Sequence, residues 1–109
     1  MGPITKELIE VLGELAALLE SNGDTHWSSW MLRAQSRLKD SDYSGLEYFL
    51  SAFGGMGSFN DIILGQSFQD GVFAWKPGYK ELNEHFEKLL SKAWELATNI
   101  KRGYEKSNN

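Results

Sequence analysis

The stretch SAFGGMGSFNDIIL, residues 51–64, decides how the fold is read. Three glycines fall within four positions (Gly54, Gly55, Gly57), then Ser58, Phe59, Asn60 and Asp61, then three aliphatic residues. Either the glycines cradle a ligand or they turn the chain. A phosphate-binding loop of the G-x-x-x-x-G-K-[ST] type needs a Lys beside its backbone N–H groups. No Lys or Arg occurs between Lys39 and Lys76, and Asp61 follows closely. A dinucleotide fingerprint follows a strand and opens a helix, whereas this run follows a helical pattern. The corner therefore reads as structural. Gly54 and Gly55 supply positive-φ conformations, Gly57 allows close backbone approach, and Ser58 and Asn60 belong to the same corner, where Asn60 or Asp61 can satisfy freed backbone groups.

On the N-terminal side of the corner the pattern is helical. Ile4, Leu8, Leu12, Leu15 and Leu19 recur at three- and four-residue spacing, predicting a helix over 4–20 that Asn22-Gly23 closes. Asp24 is placed to cap a second helix, about 25–39, with Trp27, Trp30, Met31, Ala34 and Leu38 on its apolar face. Ser44-Gly-Leu-Glu47 has capping-box spacing, flanked by Tyr43 and Tyr48 at staple positions. It predicts a short helix over 45–53, burying Leu46, Phe49, Leu50 and Phe53 and stopped by Gly54.

On the C-terminal side, IILG and VFAWK are β-rich and enclose Asp70-Gly71, a strong hairpin turn. This predicts a small hairpin of 61–66 with 71–75; one helical turn starting at Ser58-x-x-Asp61 is the other reading. A lone hairpin is marginal in water, so it is expected to lie against the N-terminal helix pair. From Tyr79 to about Lys101, Leu82, Phe86, Leu89, Ala93, Leu96 and Ile100 form a helical stripe, with Trp94 beside it expected in the core and Glu84–Lys88 an exposed pair. The predicted fold is mainly α: four helices in a compact domain, with a small β-hairpin before the long C-terminal helix. It forms one domain over 1–109, ordered over about 4–102 and frayed over 103–109.

The 109 residues suffice for one core. There is no cysteine, which removes disulfides, thiolate metal sites and Cys nucleophiles. MGPITKELIE lacks the pattern of a signal peptide, and no apolar run approaches the ~18 residues of a membrane span. A cytoplasmic protein without a membrane role is expected. Net charge is −4. Residues 1–53 hold eight acids and four bases, 54–75 hold only Asp61 and Asp70, and 76–109 hold five acids and seven bases. The acidic front and middle disfavour nucleic acid and suit a basic protein partner.

Little in the chain suggests catalysis. His26 and His85 are the two histidines, and Leu82 occupies the position where a Glu-x-x-His metal pattern would need its Glu. No G-x-S-x-G is present, and Asp40 and Asp42 lie in a polar turn where nothing would raise a carboxyl pKa. A buried cluster of Asp61, His26 and Ser58 is the arrangement that would revive an enzyme. No catalytic residue, metal or cofactor is expected. Phe68, Phe73 and Trp75 belong to the hairpin segment, where one face can be open to solvent and serve as a contact patch.

The segments HWSSWMLRA, SGLEYFLSAFGGMGSFNDIIL and LNEHFEKLLSKAWELA together resemble a family of small bacterial proteins of unknown function. Its members carry a GGMGSFND-type signature, here residues 54–61, between an N-terminal helical half and a C-terminal amphipathic helix. The resemblance runs over about residues 8–100 and implies no catalytic residues. By size and charge the chain is also similar to immunity proteins, which neutralise a toxin made by the same cell.

The function expected is a stoichiometric protein-binding module of the immunity type, monomeric or weakly dimeric. It would occlude a basic toxin surface through Asp42, Glu47, Asp61, Asp70, Phe73 and Trp75. The alternative is a small-molecule- or nucleotide-binding regulatory domain using the glycine corner, 54–58.

Overall fold

The computed structural model describes residues 2–53 and 62–107. Among these the chain is mainly α. Helices α1 (Pro3–Ser21), α2 (Thr25–Lys39) and α3 (Ser44–Leu50) are followed by an antiparallel hairpin of β1 (Gln66–Gln69) and β2 (Val72–Trp75), then by α4 (Tyr79–Ser107). The glycine corner, with Gly54, Gly55, Gly57, Ser58, Asn60 and Asp61, lies outside the described residues, as does the alternative helical turn starting at Ser58.

α1 buries the stripe its spacing dictates: Leu8, Val11, Leu12, Leu15, Ala16 and Leu19. It ends where Gly23, at φ 84°, lets the Asp24 N–H donate to the Leu19 carbonyl and the Gly23 N–H to that of Glu20. This pair of hydrogen bonds satisfies carbonyls that the helix end would otherwise leave unpaired. Asp24 then accepts from the Trp27 N–H at 3.0 Å and caps α2. α2 turns Met31, Ala34 and Leu38 fully inward, while Trp27 and Trp30 pack against the core from its margin.

Two polar contacts fix the crossing of α1 and α2. Gln35 Nε2 donates to the Ile9 carbonyl at 2.9 Å, and a Cβ at Gly13 would lie 2.8 Å from that nitrogen. Ser28, buried, donates its hydroxyl to the Ala16 carbonyl at 2.9 Å.

α2 closes with the same bonding pattern, but Ser41 (φ 59°) occupies the glycine position. The Asp42 N–H donates to the Arg37 carbonyl and the Ser41 N–H to that of Leu38. The capping box expected at Ser44 and Glu47 is not formed. Tyr43, with no side-chain cap bond, precedes the helix, and the Asp42 carboxylate takes the Ser44 N–H at 2.9 Å. Nor do Tyr43 and Tyr48 form a staple: Tyr43 stacks on Tyr104 and Tyr48 on Trp30. Both rings reach partners on other helices, which bury more aromatic surface than a contact along one short helix allows. α3 is shorter than its pattern predicts, continuing to Phe53 only as a tightened turn.

α4 lays Phe86, Leu89, Ala93 and Ala97 into the core, with Leu82, Leu90, Leu96 and Ile100 at its edge. It runs to Ser107, past the expected end near Lys101 and into the tail, 103–109, expected to fray; residues 108 and 109 lie outside the described residues. Tyr104 holds the last turns by its stack on Tyr43 at 4.1 Å. Trp94 is 44% exposed rather than core; its ring meets Phe53 edge-on instead. The ion pair formed joins helices, Lys92 Nζ to Glu7 Oε1 at 2.8 Å. Glu84 and Lys88 do not pair in this structure.

The hairpin departs from the predicted register. β1 begins at Gln66, five residues after the expected start. Asp70 (φ 53°) and Gly71 (φ 77°) form a two-residue turn, so pairing proceeds outward as Gln69↔Val72, Phe68↔Phe73, Ser67↔Ala74 and Gln66↔Trp75. Residues 62–65 serve as an anchor instead of a strand. Leu64 is buried, and Gly65, at φ 85°, fits where a Cβ would come within 2.6 Å of Tyr79 Cβ. This anchor borders the α1–α2 corner at Asn22–His26. The strands themselves do not lie on the N-terminal helices: every residue of β2 is exposed.

Candidate partner-binding surface

Alternation across the turn places Phe68, Phe73 and Trp75 on one face of the hairpin. Their rings are in continuous edge-on contact, Phe68 to Phe73 at 6.0 Å and Phe73 to Trp75 at 5.2 Å. Trp75 then stacks on Tyr79 in the first turn of α4 at 4.6 Å. Yet Phe68 is 72% exposed, Phe73 45% and Trp75 41%. Val72, on the other face, is also exposed. The ladder is thus apolar surface, ring against ring, left open to water.

At its base the ladder runs into an open groove of about 380 Å³, lined by Ile63, Trp75, Tyr79, Lys80, Glu84 and Glu87 among others. Asp70 stands exposed at the opposite, turn end of the hairpin. Aromatic surface is thus bordered by carboxylates, with Lys76 and Lys80 also near the strand ends.

The six residues expected to meet a partner do not form one patch. Asp70, Phe73 and Trp75 share the hairpin. Asp42 lies near the other end of α4, bordering a cavity of about 280 Å³ together with Thr5, Leu46, Ile100 and Tyr104. Tyr79 and Tyr104 are about 37 Å apart along the helix axis, and the body as a whole extends 56 Å. Asp61 lies outside the described residues. The Asp42 carboxyl is held below its usual pKa by hydrogen bonds from Ser44, with the Arg37 guanidinium adding a smaller effect. Arg37 also lies over the Tyr48 ring at 4.5 Å. Glu47 is exposed in the first turn of α3.

Sequence reasoning missed Tyr79 and Ile63 as site residues. The signal for Tyr79 was its separation of four residues from Trp75 across Pro77-Gly78, a turn that folds the chain back on itself. His26 packs edge-on against Trp27 at 4.8 Å, and His85 is exposed on α4. Asp61 and Ser58, the other members of the cluster that would suggest an enzyme, lie outside the described residues. Among the described residues, no three His, Cys, Asp or Glu side chains come together as metal ligands. No helix among them is long and apolar enough to cross a membrane.

Residues 20–72 match a family model described as Domain of unknown function (DUF6966). The match spans α2, α3 and most of the hairpin, and the sequence is thus similar to a family of unknown function. No curated protein and no solved structure matches the chain.

Proposed function

We propose that this chain is a protein-binding module whose hairpin end is its docking surface. In its most concrete form it is an immunity-type protein that neutralises a cognate bacterial toxin in the cytoplasm of the producing cell. The observation that carries this reading is the aromatic ladder Phe68–Phe73–Trp75, exposed although each ring touches the next. Aromatic anchors of this kind dominate binding energy when a partner desolvates them. Asp70 beyond one end and Glu84 and Glu87 beside the other would meet a basic surface, and the net charge of −4 would speed the encounter. Inhibition follows by occlusion: a body 56 Å long seated by its hairpin end covers a catalytic cleft without chemistry of its own.

The test is co-expression with the basic protein encoded beside its gene, followed by co-purification and growth rescue. Phe68→Ser with Trp75→Ser abolishes capture, while Asp42→Asn, at the far end, leaves it intact. Capture that survives the hairpin substitutions, or no capture at all, overturns the proposal.

A further inference from the structure

The outer edge of β2 carries a second, separate signal. In a hairpin with a two-residue turn, the pair flanking the turn exchanges hydrogen bonds, and bonded pairs alternate from there. The Lys76 N–H donates to the Gly65 carbonyl at 2.7 Å, which fixes this phase. Bonded pairs are therefore 69↔72, 67↔74 and 65↔76. The backbone N–H and C=O groups of Phe73 and Trp75 consequently point away from β1, along an edge that pairs with no other strand among the described residues. All four residues of β2 are exposed, whereas Ser67 of β1 is half-buried. Strand VFAW contains no charge and no proline, the usual devices that keep an edge from pairing.

We infer that β2 pairs antiparallel with β2 of a second copy of this chain, about a two-fold axis through Phe73. The occupant is specified by the self-complementarity of residues 70–76, DGVFAWK. In that register Phe73 faces its own copy as a bonded pair, giving two reciprocal N–H···O=C bonds and a cross-strand aromatic contact. Val72 faces Ala74 of the second copy, a large side chain against a small one. Trp75 faces Gly71, whose missing side chain leaves its backbone open to the indole. Asp70 is brought alongside Lys76, twice by symmetry, so opposite charges close both ends of the pairing. Among the described residues neither side chain has another ion-pair partner. Shifting the axis to Ala74 would pair Val72 with Lys76 and lose this charge match.

The resulting four-stranded sheet doubles the aromatic face while leaving it open. The inference concerns the strand edge and stands independently of what covers the face. A contact confined to one short strand falls below the ~1,200 Å² of stable interfaces, so the dimer is weak.

Sedimentation of the full chain, with no partner present, tests this over a concentration series. A reversible monomer–dimer equilibrium is expected, weakened by salt. Lys76→Glu places like charges opposite one another and weakens the dimer ~10-fold or more; adding Asp70→Asn, which suits the turn, recovers part of the loss. Phe73→Pro removes an outward N–H without touching the bonds to β1 and abolishes dimerisation. In the wild-type chain, hydrogen exchange at the Phe73 amide slows as concentration rises, a readout that does not depend on any variant folding. A chain that is monomeric up to about 1 mM, where even a Kd of ~100 µM would give mostly dimer, overturns the inference. So does a dimer indifferent to Lys76→Glu, or a Phe73 amide whose exchange ignores concentration.

Discussion

Asn83 grips the backbone of Leu64 from both sides. The Leu64 N–H donates to Asn83 Oδ1 at 2.9 Å, and Asn83 Nδ2 donates back to the Leu64 carbonyl at 2.8 Å. The same nitrogen also reaches the Tyr79 carbonyl. One side chain thus ties the anchor before the hairpin to the first turns of α4. Asn83→Ala leaves two part-buried backbone groups of Leu64 without partners and lowers stability by about 2 kcal/mol. In a chain of this size that is a fall in Tm of roughly 10 °C. Urea titration measures the loss, and faster hydrogen exchange confined first to 64–76 would place it.

Ser41 holds a left-handed conformation, φ 59°, at the end of α2. Glycine adopts it without the Cβ penalty. Ser41→Gly therefore stabilises the chain by about 0.5–1 kcal/mol, net of the extra freedom that glycine gives the unfolded state. A thermal melt that moves downward would contradict the strain assigned to this residue.

Gly45 is a close-approach position with no unusual φ requirement. A Cβ there would lie 2.8 Å from the Ala34 carbonyl oxygen and 3.0 Å from the Leu38 nitrogen, both backbone atoms. Gly45→Ala must push α3 off α2 and costs about 1–3 kcal/mol despite alanine's better helix propensity. Denaturant unfolding decides which effect wins.

Asp42 sets an acid-side dependence. Its folded pKa lies below the unfolded value, mainly through hydrogen bonds from Ser44. A depressed carboxylate contributes stability above the unfolded pKa, and loses it as pH falls through the folded pKa. Asp42→Asn therefore flattens the stability profile on the acid side of the ordinary carboxylate range, and has its largest effect at neutral pH. Melts at pH 7 and across the acid limb check both halves of this statement. Lys92 behaves in the opposite sense. Its pKa is raised by the hydrogen bond to Glu7, so that contribution is complete below the unfolded pKa and is lost at strongly alkaline pH.

The exposed ladder makes the reverse prediction for stability. Phe68→Ser removes a ring that is 72% exposed and lies outside the core, so Tm changes by no more than a few degrees. A large drop would mean that the hairpin face supports the fold rather than a contact.

The helices were legible because burial imposes a spacing. Leu8, Leu12, Leu15 and Leu19 recur as they must if one face of α1 is dry, and Gly23 and Asp24 act as their chemistry dictates. The Asp70-Gly71 turn was equally readable. The strand before it was not, because Ile62, Ile63 and Leu64 have the composition of a strand whether they pair with β2 or dock on α4. The two-residue turn decides the register, and the Asn83 clamp decides the docking. At Ser44, two candidate acceptors compete for one N–H. The sharp end of α2 at Ser41 delivers Asp42 to it. Of the candidate site, Asp70, Phe73 and Trp75 could be gathered from the sequence because they are neighbours in the chain. Asp42 and Glu47 share only their charge with these three, and charge counting carries no distance.

Thr5 and Tyr104 border the same cavity, so α1 begins beside the last turns of α4, at the end of α4 remote from the hairpin. Grafting the molecule to a surface or fusing it to a carrier through either extremity would leave the aromatic ladder facing outward. Immobilised that way, the chain becomes an oriented probe, and the geometry of attachment can be chosen without disturbing the face that is to be read.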